Sequence, residues 1–294
     1  MNWDFIYRGE NRVLDDEARA GAGGSYVDLP QGCTHYELAG PEHTRPVVLV
    51  HGFSVPYFIW DITYEALRAA GRRVLRYDLF GRGYSDRPHA RYGIDLFVRQ
   101  LAGLLGALQI EQADLVGLSM GGAIAAAFTV RYPGRVRHLA LIDPIGTEPM
   151  PLNMLYKAAL LPGISELILS VVGTERMVDS FGRDFFDPTE VERLRDRYRT
   201  QMHFRGFKRA ILSTLRSGAV NGSPEAYARL GQLDTPILLI WGREDRTLPV
   251  EQSQPILDRV PRAELHIIEH AGHIPNVEQP GKVNPILLGF LNSE

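Results

Sequence analysis

The residues best placed to do chemistry are Gly117, Ser119 and Gly121, a Gly-x-Ser-x-Gly pattern between an apolar run at 113–117 and an Ala-rich stretch at 121–131 that Pro133 ends. The run reads as a strand and the stretch as a helix, which puts the serine on the sharp turn between them. So tight a turn forces the serine into a strained backbone conformation, and small residues two before and two after it let strand and helix meet without collision. Its hydroxyl is then exposed above the carboxyl end of the strand, as a nucleophile must be. The Met120 N–H stands at the helix start with no intrahelical acceptor. The five-residue pattern is weak alone, because Gly and Ser are common; a strand before it and a helix after it are the context it needs.

A frame must hold that turn. Further strands are expected at 25–29, 33–38, 46–50, 73–77, 136–142, 236–241 and 263–268, and helices at 60–70, 94–108 and 279–291. The run from Pro46 to Val50 is almost continuously apolar, as in a strand buried on both faces. Alternating strand and helix predicts an α/β fold, a mostly parallel central sheet flanked by helices, with binding loops at the carboxyl ends of the strands. From Asp143-Pro144 the alternation lapses: helix-like runs at 153–160, 164–172, 188–203, 207–215 and 224–230 follow with no strand between them. They read as an insertion over the sheet rather than as crossovers within it. The expected plan is an N-terminal extension, 1–24, a core of 25–144 and 234–294, and a helical cap (lid) at 145–233. The extension ends in Gly21-Ala22-Gly23-Gly24 and reads as a loosely attached leader or a surface extension.

A chain of 294 residues accommodates one large α/β domain with an insertion, and 45% hydrophobic and 23% charged residues fit an ordinary globular protein. A formal charge of -3, with no nucleic-acid motif and no metal-binding Cys/His spacing, argues against a nucleic-acid partner. Cys33 is the sole cysteine, so no intramolecular disulfide forms. Charged residues interrupt the amino terminus, and no apolar run is long enough to cross a bilayer. Cytoplasmic residence is the expectation, although a mature secreted form would read the same. Nothing here sets the oligomeric state.

Five pieces occur in order: an apolar run ending in His51-Gly52-Phe53, the segment Asp78-Leu79-Phe80-Gly81-Arg82-Gly83-Tyr84-Ser85, Gly117-Leu118-Ser119-Met120-Gly121-Gly122, Gly242-Arg243-Glu244-Asp245, and Gly272-His273. Together they resemble the α/β-hydrolase superfamily, in particular its serine esterase, haloperoxidase-like and carbon–carbon bond hydrolase branches, over about residues 25–291. The resemblance implies Ser119 as nucleophile, His273 as general base and then general acid, and Asp245 as the acid that orients the histidine. The chemistry asks for the same roles, since a serine hydroxyl is a poor nucleophile until an imidazole takes its proton and a carboxylate steadies the imidazolium. Alone, His273 would read as an ordinary loop histidine and Asp245 as a turn former. Asp143, which follows the preceding strand, is the alternative acid, because one branch of the superfamily places its acid there; Asp143-Pro144 also reads as the turn that launches the insertion. Asp78 is expected to organise its Gly-rich turn. The oxyanion hole implied is the pair of backbone N–H groups of Phe53 and Met120. His51 is expected to be structural, and Ser54 either to adjust that loop or to contact a ligand.

No metal or organic cofactor is expected, and Gly81-x-Gly83 is not a complete dinucleotide fingerprint. Serine at 119, where the dehalogenases and epoxide hydrolases of this superfamily carry aspartate, favours acyl transfer. The leading expectation is therefore a serine carboxylesterase acting, with water, on short- to medium-chain apolar esters. Phe53, Ser54, Trp60, Met120, Leu152, Met154, Leu155, Met177, Phe181, Phe185 and Phe186 are candidates for its pocket, though each also suits ordinary packing. The enzyme alternatives are a carbon–carbon bond hydrolase of diketone-like substrates, a perhydrolase and an amidase. The alternative from another class is a small-molecule receptor or scaffold with weak catalysis.

Overall fold

The computed structural model describes residues 7, 9–148, 160–171, 174–187, 189 and 192–293. Its strands are β1 (Ser25–Leu29), β2 (Gly32–Ala39), β3 (Pro46–Val50), β4 (Arg73–Tyr77), β5 (Ala113–Leu118), β6 (Val136–Ile142), β7 (Ile237–Gly242) and β8 (Glu264–Ile268). They form one sheet in the order β1-β2-β4-β3-β5-β6-β7-β8. β1 and β2 pair antiparallel, β2 joins β4 antiparallel, and each pairing from β4 through β3 to β8 is parallel. The expected mostly parallel sheet is thus observed, with its strands close to the expected limits.

Helices described are α1 (Asp16–Ala20), α2 (Asp61–Ala69), α3 (Ile94–Ala107), α4 (Met120–Arg131), α5 (Ile164–Val171), α6 (Thr174–Phe181), α7 (Glu192–Met202), α8 (Phe207–Ser217), α9 (Pro224–Leu230), α10 (Ser253–Leu257), α11 (Pro275–Glu278) and α12 (Pro280–Leu291). Helix α6 has no counterpart among the expected helices. The run expected at 153–160 lies, but for residue 160, outside the described residues.

The central strands are apolar at nearly every position because both faces are covered. Val48, Val50, Leu115, Leu139, Leu141 and Leu239 join a core with Leu101, Leu104 and Leu105 of α3 and Ile124 and Phe128 of α4. Their neighbours Val47, Leu49, Val116, Leu118, Ala140, Ile142, Leu238 and Ile240 join a second core with Tyr64 and Leu67 of α2 and Val283, Leu287 and Leu291 of α12. Period-two alternation thus separates two cores rather than a core from water.

Helices α5 to α9 lie between β6 and β7 in the chain, and they touch both the core and the opening segment. Phe181, Leu194, Tyr198, Met202, Phe207 and Ile211 belong to the second core, while Tyr227 and Leu230 of α9 belong to the first. The opening segment is tied to them: the buried Glu10 carboxylate accepts from the N–H groups of Gly206 (2.7 Å) and Lys208 (2.6 Å) at the start of α8, and Arg12 bridges to Phe204.

Candidate active site

Ser119 follows β5 directly and precedes α4 with φ 55° and ψ -119°, a left-handed conformation that is strained for a residue with a Cβ. The fold around it leaves no slack. A Cβ added at Gly121 would lie 2.1 Å from the Val50 carbonyl oxygen, and one at Gly117 would lie 2.4 Å from that of Gly121. The glycines flanking the serine are therefore required by the close approach of strand, helix and the chain at Val50 and His51. Ser119 N–H donates to the Ile142 carbonyl (2.9 Å) and its own carbonyl accepts from Ile145 (3.1 Å), so the end of β6 wraps against the turn.

That wrap brings Asp143 in. Beyond the neighbouring strand ends, Asp245 follows β7 and His273 follows β8. His273 Nδ1 hydrogen-bonds Asp245 Oδ2 at 2.7 Å, while Asp245 Oδ1 accepts from the N–H groups of Thr247 (2.7 Å) and Leu248 (2.8 Å). The carboxylate is thus aimed by its own turn, and its free oxygen holds the imidazole with Nε2 outward. Side-chain atoms of Asp143, Asp245 and His273 lie within 4.8 Å of one another, and this is the one cluster of such groups among the described residues. With His273 Nδ1 committed to Asp245, the cluster suits moving a proton better than binding a cation.

Electrostatics separate the two acids. Asp143 is fully buried at φ 40°; its Oδ1 accepts from Gly242 N–H at 2.9 Å and its Oδ2 has no hydrogen-bond partner. Burial first, and the Asp245 charge second, push it well above the usual carboxylate range, so it is the neutral member of the pair. For His273 burial works against the charged form, but Asp245 first and Asp184 after it outweigh it and raise the imidazole above its ordinary range. Ser119 and His273 are 8% and 5% exposed. Among the described residues neither Ser119 Oγ nor His273 Nε2 has a hydrogen-bond partner, so both are free to engage a substrate or each other.

The loop 51–53 runs against the serine: a Cβ at Gly52 would lie 3.8 Å from Ser119 Oγ. His51 is fully buried. Its Nε2 accepts from Leu79 N–H (2.9 Å), so Nδ1 carries the proton and donates to the Gly52 carbonyl (3.0 Å). Burial pushes this imidazole down to about 4, which leaves a neutral scaffold residue. Among the described residues the N–H groups of Phe53 and Met120 have no hydrogen-bond partner, as donors reserved for a developing negative charge require. Asp78 is also fully buried. It accepts from His35 Nδ1 (2.7 Å), Tyr57 N–H (3.0 Å) and Tyr84 N–H (2.9 Å), and so ties the Gly-rich turn to β2 and to the loop before α2.

The other candidates separate. Ser54 is tethered by its backbone, its carbonyl accepting from Gln201 Nε2 at 3.0 Å. Phe181 and Phe185 are buried and stack edge-on with centroids 5.1 Å apart, and Met177 packs against the same core. Trp60 is fully buried in that core. Phe186 is 42% exposed with its ring beside His270, which places it on the surface rather than in a wall. Leu152, Met154 and Leu155 lie outside the described residues.

Two residues absent from the sequence reading join the site from afar. The Asp184 carbonyl accepts from His273 N–H (2.7 Å), and its half-buried side chain accepts from Thr247 Oγ1 (2.7 Å). Glu278 accepts from Gly272 (2.7 Å), Phe186 (2.6 Å) and Asp187 (3.1 Å) N–H groups, stapling the segment after α6 to the histidine loop. No spacing marks either residue, because their partners are distant in the chain.

Residues 47–286 match the model of the Alpha/beta hydrolase family. The chain is 32% identical over 253 residues to a 2-hydroxymuconate semialdehyde hydrolase of Pseudomonas sp. (strain CF600), covering 84% of this chain and 86% of that protein. It is 31% identical over 288 residues to a 2-hydroxy-6-oxononadienedioate/2-hydroxy-6-oxononatrienedioate hydrolase of Paraburkholderia phymatum, covering 90% and 94%. The crystal structure of a meta-cleavage product hydrolase from Pseudomonas fluorescens superposes with a TM-score of 0.76 at 28% identity, covering 92% of this chain and 97% of that one. With a strained serine between strand and helix, an acid–histidine pair at the neighbouring strand ends and a family match across most of its length, the chain belongs to the alpha/beta hydrolase family.

Proposed function

We propose that the chain is a serine hydrolase that cleaves a carbon–carbon bond in a diketone-like, vinylogous substrate, with the helical segment 145–233 as its cap. The observation that carries the catalytic reading is the Asp245–His273 pair at 2.7 Å in the loops after β7 and β8, on the same sheet whose β5 ends in the strained Ser119. The relatives named above favour a carbon leaving group over the ester expected from the sequence.

Ser119 Oγ adds to the ketone carbonyl and its proton passes to His273 Nε2, while the N–H groups of Phe53 and Met120 receive the oxyanion. Collapse of the tetrahedral species breaks the carbon–carbon bond. The electron pair leaves on a carbon whose charge the second, conjugated carbonyl delocalises, and that fragment takes the proton from His273. Water, deprotonated by His273, then attacks the acyl ester, and the acid departs as Ser119 recovers its proton. Carboxylic ester hydrolysis is the second reading, because the same atoms perform it and the buried Phe181 and Phe185 suit an apolar acyl group.

A panel of a vinylogous diketone acid, short-chain aryl esters and amides tests the choice, together with labelling by a serine-directed phosphonate and peptide mapping. Diketone turnover exceeding ester turnover is expected, with the label on Ser119. Ester turnover with negligible diketone cleavage would return the ester reading, and near-normal rates in Ser119→Ala would sink the site.

A further inference from the structure

Arg82 stands between two glycines in the left-handed region, Gly81 at φ 83° and Gly83 at φ 48°, and this turn sends its side chain inward, where it is fully buried. A Cβ at Gly83 would collide with the Asp78 carboxylate at 2.1 Å, so that buried acid packs against the turn's backbone. The guanidinium donates through Nε to the Phe53 carbonyl (2.8 Å), through Nη1 to the Phe80 carbonyl (3.2 Å) and through Nη2 to Thr214 Oγ1 of α8 (2.9 Å). Its charged end lies over the rings of Phe53 and Phe97, both 5.5 Å from the centroid. Among the described residues no carboxylate pairs with it. Burial lowers it only to about 10, so it stays cationic at neutral pH.

A buried cation without a counter-ion is costly for folding, and a fold that needed only packing there would be served by an apolar side chain. The position gives the charge a use. Phe53 supplies one of the two N–H groups assigned to the oxyanion, and its carbonyl is held by Arg82. The next carbonyl, Ser54, is held by Gln201 of α7, whose Oε1 in turn accepts from Gly83 N–H at 2.9 Å. We infer that Arg82 is a positioning residue for the proposed reaction: it aims the Phe53 N–H and supplies a fixed, desolvated positive charge behind the oxyanion, which strengthens binding of the transition state more than of the ground state. The inference rests on the serine-hydrolase reading above, and through Thr214 it also links the oxyanion loop to α8.

The test compares kcat, KM and the rate of phosphonate labelling in wild type, Arg82→Gln, Arg82→Lys and Ser119→Ala, with folding checked by circular dichroism and thermal melting. Folded Arg82→Gln is expected to lose roughly 10- to 1,000-fold in kcat and in labelling rate, with KM within about threefold, the upper end being that of a lost oxyanion contact. Arg82→Lys keeps the charge but forfeits the fork, so it should retain more kcat than Arg82→Gln while falling at least about threefold. Wild-type kcat in either folded variant, or a loss that only tracks the unfolded fraction, overturns the inference. If Arg82→Gln does not fold, Arg82→Lys alone decides it by the same criterion. An inactive Ser119→Ala beside a normal Arg82→Gln rejects the role of Arg82 and leaves the serine reading standing, whereas an active Ser119→Ala rejects the serine reading itself.

Discussion

Two acids face one imidazole, and their different protonation makes separable predictions. Asp143 is held neutral by burial and by Asp245, so Asp143→Asn, which matches the neutral acid in shape, should leave kcat within about threefold of wild type. Asp245→Asn removes the hydrogen-bonded charge, but it also removes the repulsion that keeps Asp143 neutral. It should therefore retain more activity than His273→Ala, and the Asp143→Asn/Asp245→Asn double variant should fall to the His273→Ala level, roughly a thousandfold or more below wild type. Steady-state rates of the four variants check this; a double variant no worse than Asp245→Asn would remove Asp143 from the site. The pH profile follows from the same charges. His273 must be neutral to accept a proton, and its carboxylate neighbours raise its pKa, so kcat/KM should climb with pH through a limb above the ordinary imidazole value of about 6.5. Asp184→Asn, which deletes one of those charges, should move the limb to lower pH.

Elements matter here for how closely their backbones approach. Strand β5, helix α4 and the 51–53 loop meet around Gly121, where a methyl group would strike a carbonyl rather than a flexible side chain. Gly121→Ala should lose about 3 kcal/mol or more of stability, or fail to accumulate as folded protein, as urea denaturation and soluble yield would reveal. The staple made by Glu278 acts at the same scale. Glu278→Ala strips three backbone N–H groups of their acceptor, at a cost of about 1 to 2 kcal/mol, and should speed hydrogen exchange at 186–187 and 272 while leaving that at β5 unchanged. Unaltered exchange at 186–187 would mean that the segment is held by its other contacts.

Across the whole molecule, distant parts of the chain close on each other through single side chains. Glu10 accepts from two N–H groups at the start of α8, and α8 in turn reaches the Phe53 carbonyl through Thr214 and Arg82. Glu10→Ala should destabilise the protein by about 2 kcal/mol and loosen α8 in hydrogen exchange. A melting temperature equal to wild type would show that the opening segment adds nothing to the fold. No helix among the described residues is long and apolar enough to cross a membrane.

What the residue pattern determined by itself was the local order of things. Strands such as β3 and β7 are legible because a sheet covered on both faces favours nearly unbroken apolar runs, and Ser119 is legible because a strand, a tight turn and a helix leave a fixed signature of small residues. The helices between β6 and β7 show as helical runs, although α6, with Thr174, Glu175, Arg176 and Asp179 among its eight residues, hides its apolar face. Only the tertiary structure decided which acid is charged, because that depends on burial and on the distance between Asp143 and Asp245, one hundred and two residues apart in the numbering. It alone revealed what Glu10, Arg82, Asp184 and Glu278 hold, through hydrogen bonds to groups mostly remote in the chain. Such bonds require an acceptor or donor at the right place in space and leave no periodicity in sequence, which is why they appear only once the loops have met.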